Sequence, residues 1–214
     1  MEAAVINVAE RVQHFLRCGE RCANPEGLGS ILQLYWNYLH LVAEAQLDRR
    51  LRVRFSPSDL VQETLLEAHR DFPQFRGTTE AEFLAWLRQI LIHNLIVAVR
   101  RHVDAGKRDI RREVSLEQVR AGADTSALSL AAVLDQGGTS PSARIQREEL
   151  LVALADHLAA LPPDYREVIV LRHLQGRSFA EIAGQMDRNE GAVRMLWLRA
   201  IGQLRAKFSE RGLL

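Results

Sequence analysis

Apolar residues recur every three or four positions along almost all of this 214-residue chain, whereas strand-like alternation is nearly absent. This spacing places apolar side chains on one face of a helix, as in the stretches from Leu28 to Leu51 and from Phe83 to Val99. The first of these stretches predicts one long helix. The chain as a whole is therefore predicted to be all-α.

The helical pattern stops between Val103 and Ser140, where Gly, Ser, Thr and Asp accumulate. Such a composition is typical of a flexible linker. The sequence thus predicts two small helical domains, residues 1–102 and 142–214, joined by a linker over residues 103–141.

Capping residues mark several helix ends in both predicted domains. Ser56 before Pro57 predicts one helix start, and Thr79 with Glu82 has the spacing of a capping box. In the second domain a helix beginning at Asp164 is predicted to continue through Leu174 and to stop at Gly176.

Residues 178 to 207 have the layout of a helix-turn-helix. Ser178 and Glu181 form a predicted capping box, the turn is Asp187 to Asn189, and a long helix runs from Glu190 to about Lys207. Such a second helix would enter the major groove of DNA with its first turns nearest the bases. An ordinary helical hairpin that binds no DNA has the same layout. The exposed candidates for DNA contact are Asn189, Glu190, Ala192, Arg194, Trp197 and Arg199.

The charge distribution is uneven although the formal net charge is only +1. Residues 100–112 and residues 188–211 each contain six basic and two acidic side chains. These zones suit either phosphate-facing surfaces or solvated helix faces. No apolar run approaches the ~18 residues of a membrane span, and no signal peptide is evident. We therefore expect a cytoplasmic protein without membrane insertion.

The sequence contains no pattern typical of an enzyme or a cofactor-binding protein. A glycine-rich phosphate loop, a nucleophile with a positioned base and a His-Glu-x-x-His motif are all missing. His14, Cys18 and Cys22 would share one face of a helix, so a metal site there stays open, but no fourth ligand is evident. Buried, reduced cysteines are the other interpretation. We predict no metal and no cofactor.

The two halves together resemble a known family. The resemblance covers about Leu28 to Lys207, and both halves occur in the family's order, separated by a linker of suitable length. The segments that carry it are Asp59 to Thr64, Phe75 to Gly77, Trp86 to Ile90, Arg100-Arg101, Leu161 to Val168, Gly176 to Ala183 and Gly191 to Arg194. They resemble regions two and four of extracytoplasmic-function sigma factors, the promoter-reading subunits of bacterial RNA polymerase.

The resemblance implies that the first domain binds core polymerase and the minus-ten element of promoter DNA. The implied core-binding residues are Asp59, Leu60, Val61, Gln62 and Glu63, which would dock on the coiled coil of the largest polymerase subunit. The implied DNA-binding residues are Gly77, Thr78, Thr79, Trp86, His93, Asn94, Arg100 and Arg101. The chain departs from the family at His93, where Asn is usual, and at Val97, where an acidic residue is common.

The same resemblance implies that the second domain reads the minus-thirty-five element, with Arg177 and Ser178 added to the recognition-helix candidates. Here Met195, Leu196 and Trp197 stand where small or basic residues are more usual. Such apolar side chains could pack against a partner, and an anti-sigma factor is one candidate.

A free-standing helix-turn-helix regulator is the alternative function, with the first domain serving for dimerisation or signal binding. The helix from Asp59 to Thr64, joined to the helix from Thr79 to Arg101, distinguishes the two functions because a simple regulator does not need this pair.

Overall fold

The computed structural model describes residues 8–17, 25–47, 56–105 and 143–210, and these residues form helices and turns without any strand. The predicted all-α class is thereby confirmed. The chain divides into two compact units, one of Met1–Ala43 with Leu51–Leu116 and one of Glu44–Arg50 with Glu117–Leu214. The predicted linker, apart from its first three residues, lies outside the described residues, so the predicted domain limits stay predictions.

Among the described residues before 106 there are five α-helices. They are α1 (Val8–Arg17), α2 (Pro25–Gln33), α3 (Trp36–Gln46), α4 (Pro57–Asp71) and α5 (Glu80–Ala105), with a 3-10 turn at Phe72–Gln74. Pro57 stands at the start of α4 as predicted, but the Ser56 side chain makes no capping hydrogen bond. Ser56 instead contributes its carbonyl oxygen, which accepts from the Leu60 amide at 3.2 Å.

The long helix predicted from Leu28 to Leu51 is wrong, because α2 and α3 are separated at Leu34 and Tyr35. Both residues donate their amides to the carbonyl three residues earlier, each at 3.1 Å, which is the tighter 3-10 pattern. Tyr35 is fully buried and donates its hydroxyl to Glu80 Oε1 at 2.7 Å. Its ring also meets Phe83 edge-on, with centroids 5.6 Å apart. A tertiary contact therefore accompanies the break.

An aromatic cluster fills the space between α4 and the first two turns of α5. Phe72, Phe75 and Phe83 are buried, Trp86 is half-buried, and all six ring pairs have centroids between 5.0 and 6.3 Å apart. These aromatic residues fix the position of the 3-10 turn and of the loop that follows it.

By length and composition alone, α5 is long and apolar enough to cross a membrane over Glu80–Arg100, with a mean hydropathy of 1.4. The expectation that no segment approaches this length is therefore wrong. Within the described part of the chain, however, the apolar face of α5 is buried in the first unit. Its buried members are Phe83, Leu84, Leu87, Leu91, Leu95 and Val99.

The described residues after 142 form four α-helices and one π-helical segment. These are α6 (Ala143–Ala159), α7 (Pro163–Ile169), the π segment (Val170–Leu174), α8 (Phe179–Gln185) and α9 (Glu190–Glu210). The helix predicted to reach Leu174 thus changes its hydrogen bonding after Ile169, and Gln175 donates its amide to Val170 five residues back at 3.0 Å. Gly176 ends the segment with φ +64, a left-handed conformation that glycine adopts readily.

Candidate polymerase and nucleic-acid surfaces

The exposed edge of α4 carries Asp59, Gln62 and Glu63, which we call the acidic edge. Leu60 and Val61 are buried on the opposite side. The five predicted core-binding residues are therefore divided between an outward polar edge and an inward apolar anchor. The edge points carboxylate and amide oxygens at solvent, where basic groups of another protein can reach them.

One residue that the sequence analysis missed extends this edge. Leu66 is 73% exposed and follows Gln62 and Glu63 by about one helical turn. Leu66 could not be recognised as a surface residue from the sequence, because the helical periodicity of apolar residues assigns most leucines to the core. A single exposed leucine is ordinary on a protein surface, so Leu66 is included here only because it adjoins the acidic edge.

His93 and Asn94 are adjacent in sequence but differ in environment. His93 is exposed, whereas Asn94 is buried and lies with its Nδ2 3.4 Å from Thr64 Oγ1. The Thr64 hydroxyl in turn donates to the Leu60 carbonyl at 2.7 Å. Asn94 therefore links α5 to α4 through a buried polar contact, and His93 is the one of the two that DNA can reach in this conformation.

The loop before α5 is held by the Glu82 carboxylate. Glu82 Oε2 accepts from the Thr78 amide at 2.8 Å, the Thr79 amide at 3.1 Å and the Thr79 hydroxyl at 3.0 Å. Thr79 Oγ1 accepts from the Glu82 amide at 3.3 Å, which completes the predicted capping box. Gly77 has no room for a side chain, since a Cβ would lie 2.3 Å from Phe75 Cζ. The loop is thus fixed against the aromatic cluster.

We expect this loop to loosen in acid because the three hydrogen bonds lower the pKa of Glu82 below its ordinary value of 4.5. A carboxylate with a lowered pKa stabilises the fold above its unfolded pKa and loses that contribution as the pH falls through its folded pKa. Amide exchange at Thr78 and Thr79, corrected for the intrinsic effect of pH, should therefore accelerate below about pH 4.5. Glu82→Ala, which removes the acceptor oxygen, should show fast exchange already at neutral pH, whereas Glu63→Ala, at an exposed position of α4, should not. Slow exchange in the Glu82 variant would contradict the assignment.

Three of the predicted DNA-binding residues lie along one stripe of α5. Trp86, His93 and Arg100 are spaced by seven residues, which is close to two full helical turns. Trp86 is half-buried on the aromatic cluster, while His93 and Arg100 are exposed. We call these three residues the α5 stripe. It leads from the loop of Gly77, Thr78 and Thr79, which we call the Gly77 loop, toward the basic end of α5, where Arg101 also belongs to the helix.

The second unit contains the predicted helix-turn-helix. The Ser178 amide and hydroxyl donate to Glu181 Oε2 at 2.8 and 2.7 Å, and Ser178 Oγ accepts from the Glu181 amide at 3.3 Å, so the capping box is confirmed. These bonds lower the pKa of Glu181. Ile182, Ala183 and Val193 are buried between α8 and α9. Asp187, with φ 52, closes the turn.

Several predicted contact residues at the start of α9 have structural partners. Asn189 Oδ1 caps the helix by accepting from the Ala192 amide at 2.7 Å. Arg194 pairs with Glu190 at 2.6 Å, and its guanidinium lies 5.2 Å from the centre of the Phe179 ring. Arg177 lies 3.7 Å from Glu181. Exposed ion pairs contribute little to stability, typically about 0–1 kcal/mol, so they do not prevent these arginines from turning toward DNA.

Trp197 faces the body of the second unit rather than open solvent. Its indole nitrogen donates to His173 Nε2 at 2.9 Å, and its ring meets Phe179 edge-on at 5.7 Å. An indole can only donate, so His173 accepts at Nε2 and carries its proton on Nδ1. Burial, followed by the nearby Arg172 charge, lowers the pKa of His173, which keeps it neutral. The periodicity of the sequence did not indicate that His173 would contact Trp197.

The outer face of α9 consists of Ala192, Arg194, Met195, Leu198 and Arg199, all of them exposed. Among the described residues, Arg199 forms no ion pair. The face therefore combines two cationic side chains with two large apolar ones, and Trp197 lies outside it.

The described residues contain no group of three His, Cys, Asp or Glu side chains placed to hold a metal ion. The candidate His14, Cys18 and Cys22 falls partly on residues outside the described part, since both cysteines lie there.

Comparisons with known proteins match both halves. The Sigma-70 region 2 family matches residues 38–104, and the Sigma-70 region 4 family matches residues 151–204. The chain is 31% identical over 170 residues to the ECF RNA polymerase sigma-E factors of Salmonella typhimurium and Escherichia coli. Each of these matches covers 76% of this chain and 78% of the relative. It is 28% identical to the RNA polymerase sigma-H factor of Pseudomonas aeruginosa, over 79% of this chain and 76% of that protein.

Proposed function

Because this chain belongs to the extracytoplasmic-function family of RNA polymerase sigma factors, which recognise promoters in transcription initiation, we propose that it acts through three of its surfaces. The acidic edge of α4 docks on core polymerase, the α5 stripe with the Gly77 loop contacts the minus-ten element, and the outer face of α9 contacts the minus-thirty-five element. The observation that carries the proposal is that one chain holds both the acidic edge and a capped helix-turn-helix.

Docking through α4 is supported by how the helix divides its residues. Leu60 and Val61 fix it in the first unit, which leaves Asp59, Gln62 and Glu63 outside. Carboxylates form short, charge-assisted hydrogen bonds with arginine and lysine, so a basic surface on the polymerase coiled coil suits this edge. A free-standing regulator has no use for such an edge, which argues against the alternative function.

Contact with the minus-ten element is supported by the fixed loop and the half-buried Trp86 at its base. Opening a duplex requires a surface on which an unpaired base can rest, and aromatic rings provide stacking platforms. His93 and Arg100 follow on the same stripe and offer a hydrogen-bonding ring and a phosphate-binding charge. Asn94, which is buried, stabilises the helix pair from inside.

The protein directs the polymerase to promoters, and we infer that it catalyses no reaction itself. We place it in the cytoplasm, where polymerase works, and propose an anti-sigma factor as a regulatory partner. The test is run-off transcription with bacterial core polymerase over a promoter library. The chain with core should give promoter-specific transcripts that neither gives alone, and their absence at every promoter would contradict the function.

Arg199 is expected to contact phosphate. Arg199→Ala should weaken binding of the holoenzyme evenly across upstream sequences and flatten the salt dependence by about one counterion. The reason is its exposure and its lack of an ion pair among the described residues. Gln203→Ala, an exposed truncation one turn further, serves as the control. An unchanged salt slope for Arg199→Ala would remove Arg199 from the interface.

A further inference from the structure

Two large apolar side chains on α9 are exposed and do not belong to the hydrophobic core. Met195 is 50% exposed and Leu198 is 54% exposed, and they lie one turn apart. The neighbouring apolar residues Val193 and Ile201 on the same helix are buried. Met195 and Leu198 therefore form an apolar ridge, a name we keep for this pair, on the surface proposed to face DNA.

An arginine lies on each side of the apolar ridge, and one of them, Arg194, is also paired with Glu190 at 2.6 Å. Arg194 precedes Leu198 by four residues and Arg199 follows Met195 by four, so each arginine neighbours one member of the ridge on its outer side. Beyond the ridge Gly202 is exposed, and a Cβ placed there would meet nothing within 4 Å. The helix can therefore enter a groove closely, with the ridge foremost.

This arrangement matches the major groove of a duplex. The edges of the groove are phosphate chains, which attract the flanking arginines, and its floor exposes one apolar group, the 5-methyl of thymine. Arginine pairs with carboxylates as well as with phosphates, but a groove presents phosphates on both sides of an inserted helix at once. An arginine on each flank of the ridge therefore suits DNA as the occupant of this face.

We propose that Met195 and Leu198 are specificity-determining residues that read thymine methyl groups in the upstream promoter element. The inference rests on the proposed function and adds to it a chemical class of base contact. It implies that the selected upstream element carries thymine at one or two positions that face the ridge.

The test removes only the methyl group. An upstream element is first selected from random duplexes with core polymerase carrying the full chain, and each thymine is then replaced singly by uracil. We expect one or two positions to lose about 3- to 5-fold in affinity, which is the effect of leaving one methyl group unburied. Uracil at the remaining thymines should have no effect.

Substitutions in the apolar ridge identify which of its two residues contacts each thymine methyl group. Met195→Ala and Leu198→Ala should each abolish the uracil penalty at one position, whereas Gln203→Ala should leave the penalty intact. Both ridge residues are exposed, so thermal unfolding should change little. Sequence-selective binding without any uracil penalty, or a penalty that survives in the Met195→Ala, Leu198→Ala double variant, would overturn the inference while leaving the sigma function standing. Failure to enrich any upstream element would contradict the proposed DNA contact itself and the inference with it.

Discussion

Reversing the charge of Asp59 and Glu63 together is expected to weaken binding to bacterial core polymerase at least about 100-fold, because like charges placed opposite one another cost several kcal/mol. Both residues belong to the acidic edge and are exposed. Replacing Asp59 in the first turn of α4 also removes a favourable helix-dipole contact of about 0.3–1 kcal/mol, which is too little to unfold the protein.

The control reverses one charge elsewhere and is compared with the single variants Asp59→Lys and Glu63→Lys. Glu167→Lys, at an exposed position of α7, should leave core binding unchanged. Leu66→Ala tests whether the exposed leucine shares the interface, since a loss of binding without a change of charge would show an apolar contribution. Affinity is measured by displacement of labelled chain from core polymerase, with circular dichroism as the folding check. Binding of the double variant at the affinity of the original chain would contradict docking through the acidic edge.

Local chemistry in the sequence predicted several helix ends correctly, although the Ser56 side chain makes no capping hydrogen bond. The capping boxes at Thr79 with Glu82 and at Ser178 with Glu181 are present, and Gly176 ends its segment in the left-handed conformation. Each signal involves residues within four positions of one another. The bonds that fix these turns therefore depend little on the rest of the fold, which is why they can be read from sequence.

Features that depend on distant residues could not be predicted in the same way. The break at Tyr35 coincides with a hydrogen bond to Glu80, forty-five positions away, and no local residue marks it. The burial of Asn94 depends on Thr64, and the orientation of Trp197 depends on His173. Periodicity places a residue on a face, but a polar residue or a tryptophan at the edge of that face takes the partner that tertiary packing supplies.

Replacing Phe83 with Ala is expected to cost the first unit about 3–5 kcal/mol of stability, the usual effect of truncating a buried aromatic side chain. Phe83 is fully buried, and its ring centroid lies 5.6 to 6.1 Å from those of Tyr35, Phe72, Phe75 and Trp86. Hydrogen exchange in peptides from α4 and α5 should accelerate strongly. Peptides from α8 and α9, which belong to the other unit, should be unaffected.

Trp86 shares this cluster but should behave differently because it is only half-buried. We expect Trp86→Leu to reduce strand opening, measured by permanganate reactivity of unpaired thymines, by more than its loss of stability explains. Phe83→Leu is the matched control, since it makes the same change from an aromatic ring to leucine at a fully buried position of the cluster and leaves the α5 stripe intact. Both variants are compared with core polymerase bound and at a temperature where hydrogen exchange shows α5 folded. Equal permanganate reactivity in the two would assign Trp86 to packing alone and leave His93 and Arg100 as the DNA contacts of the stripe.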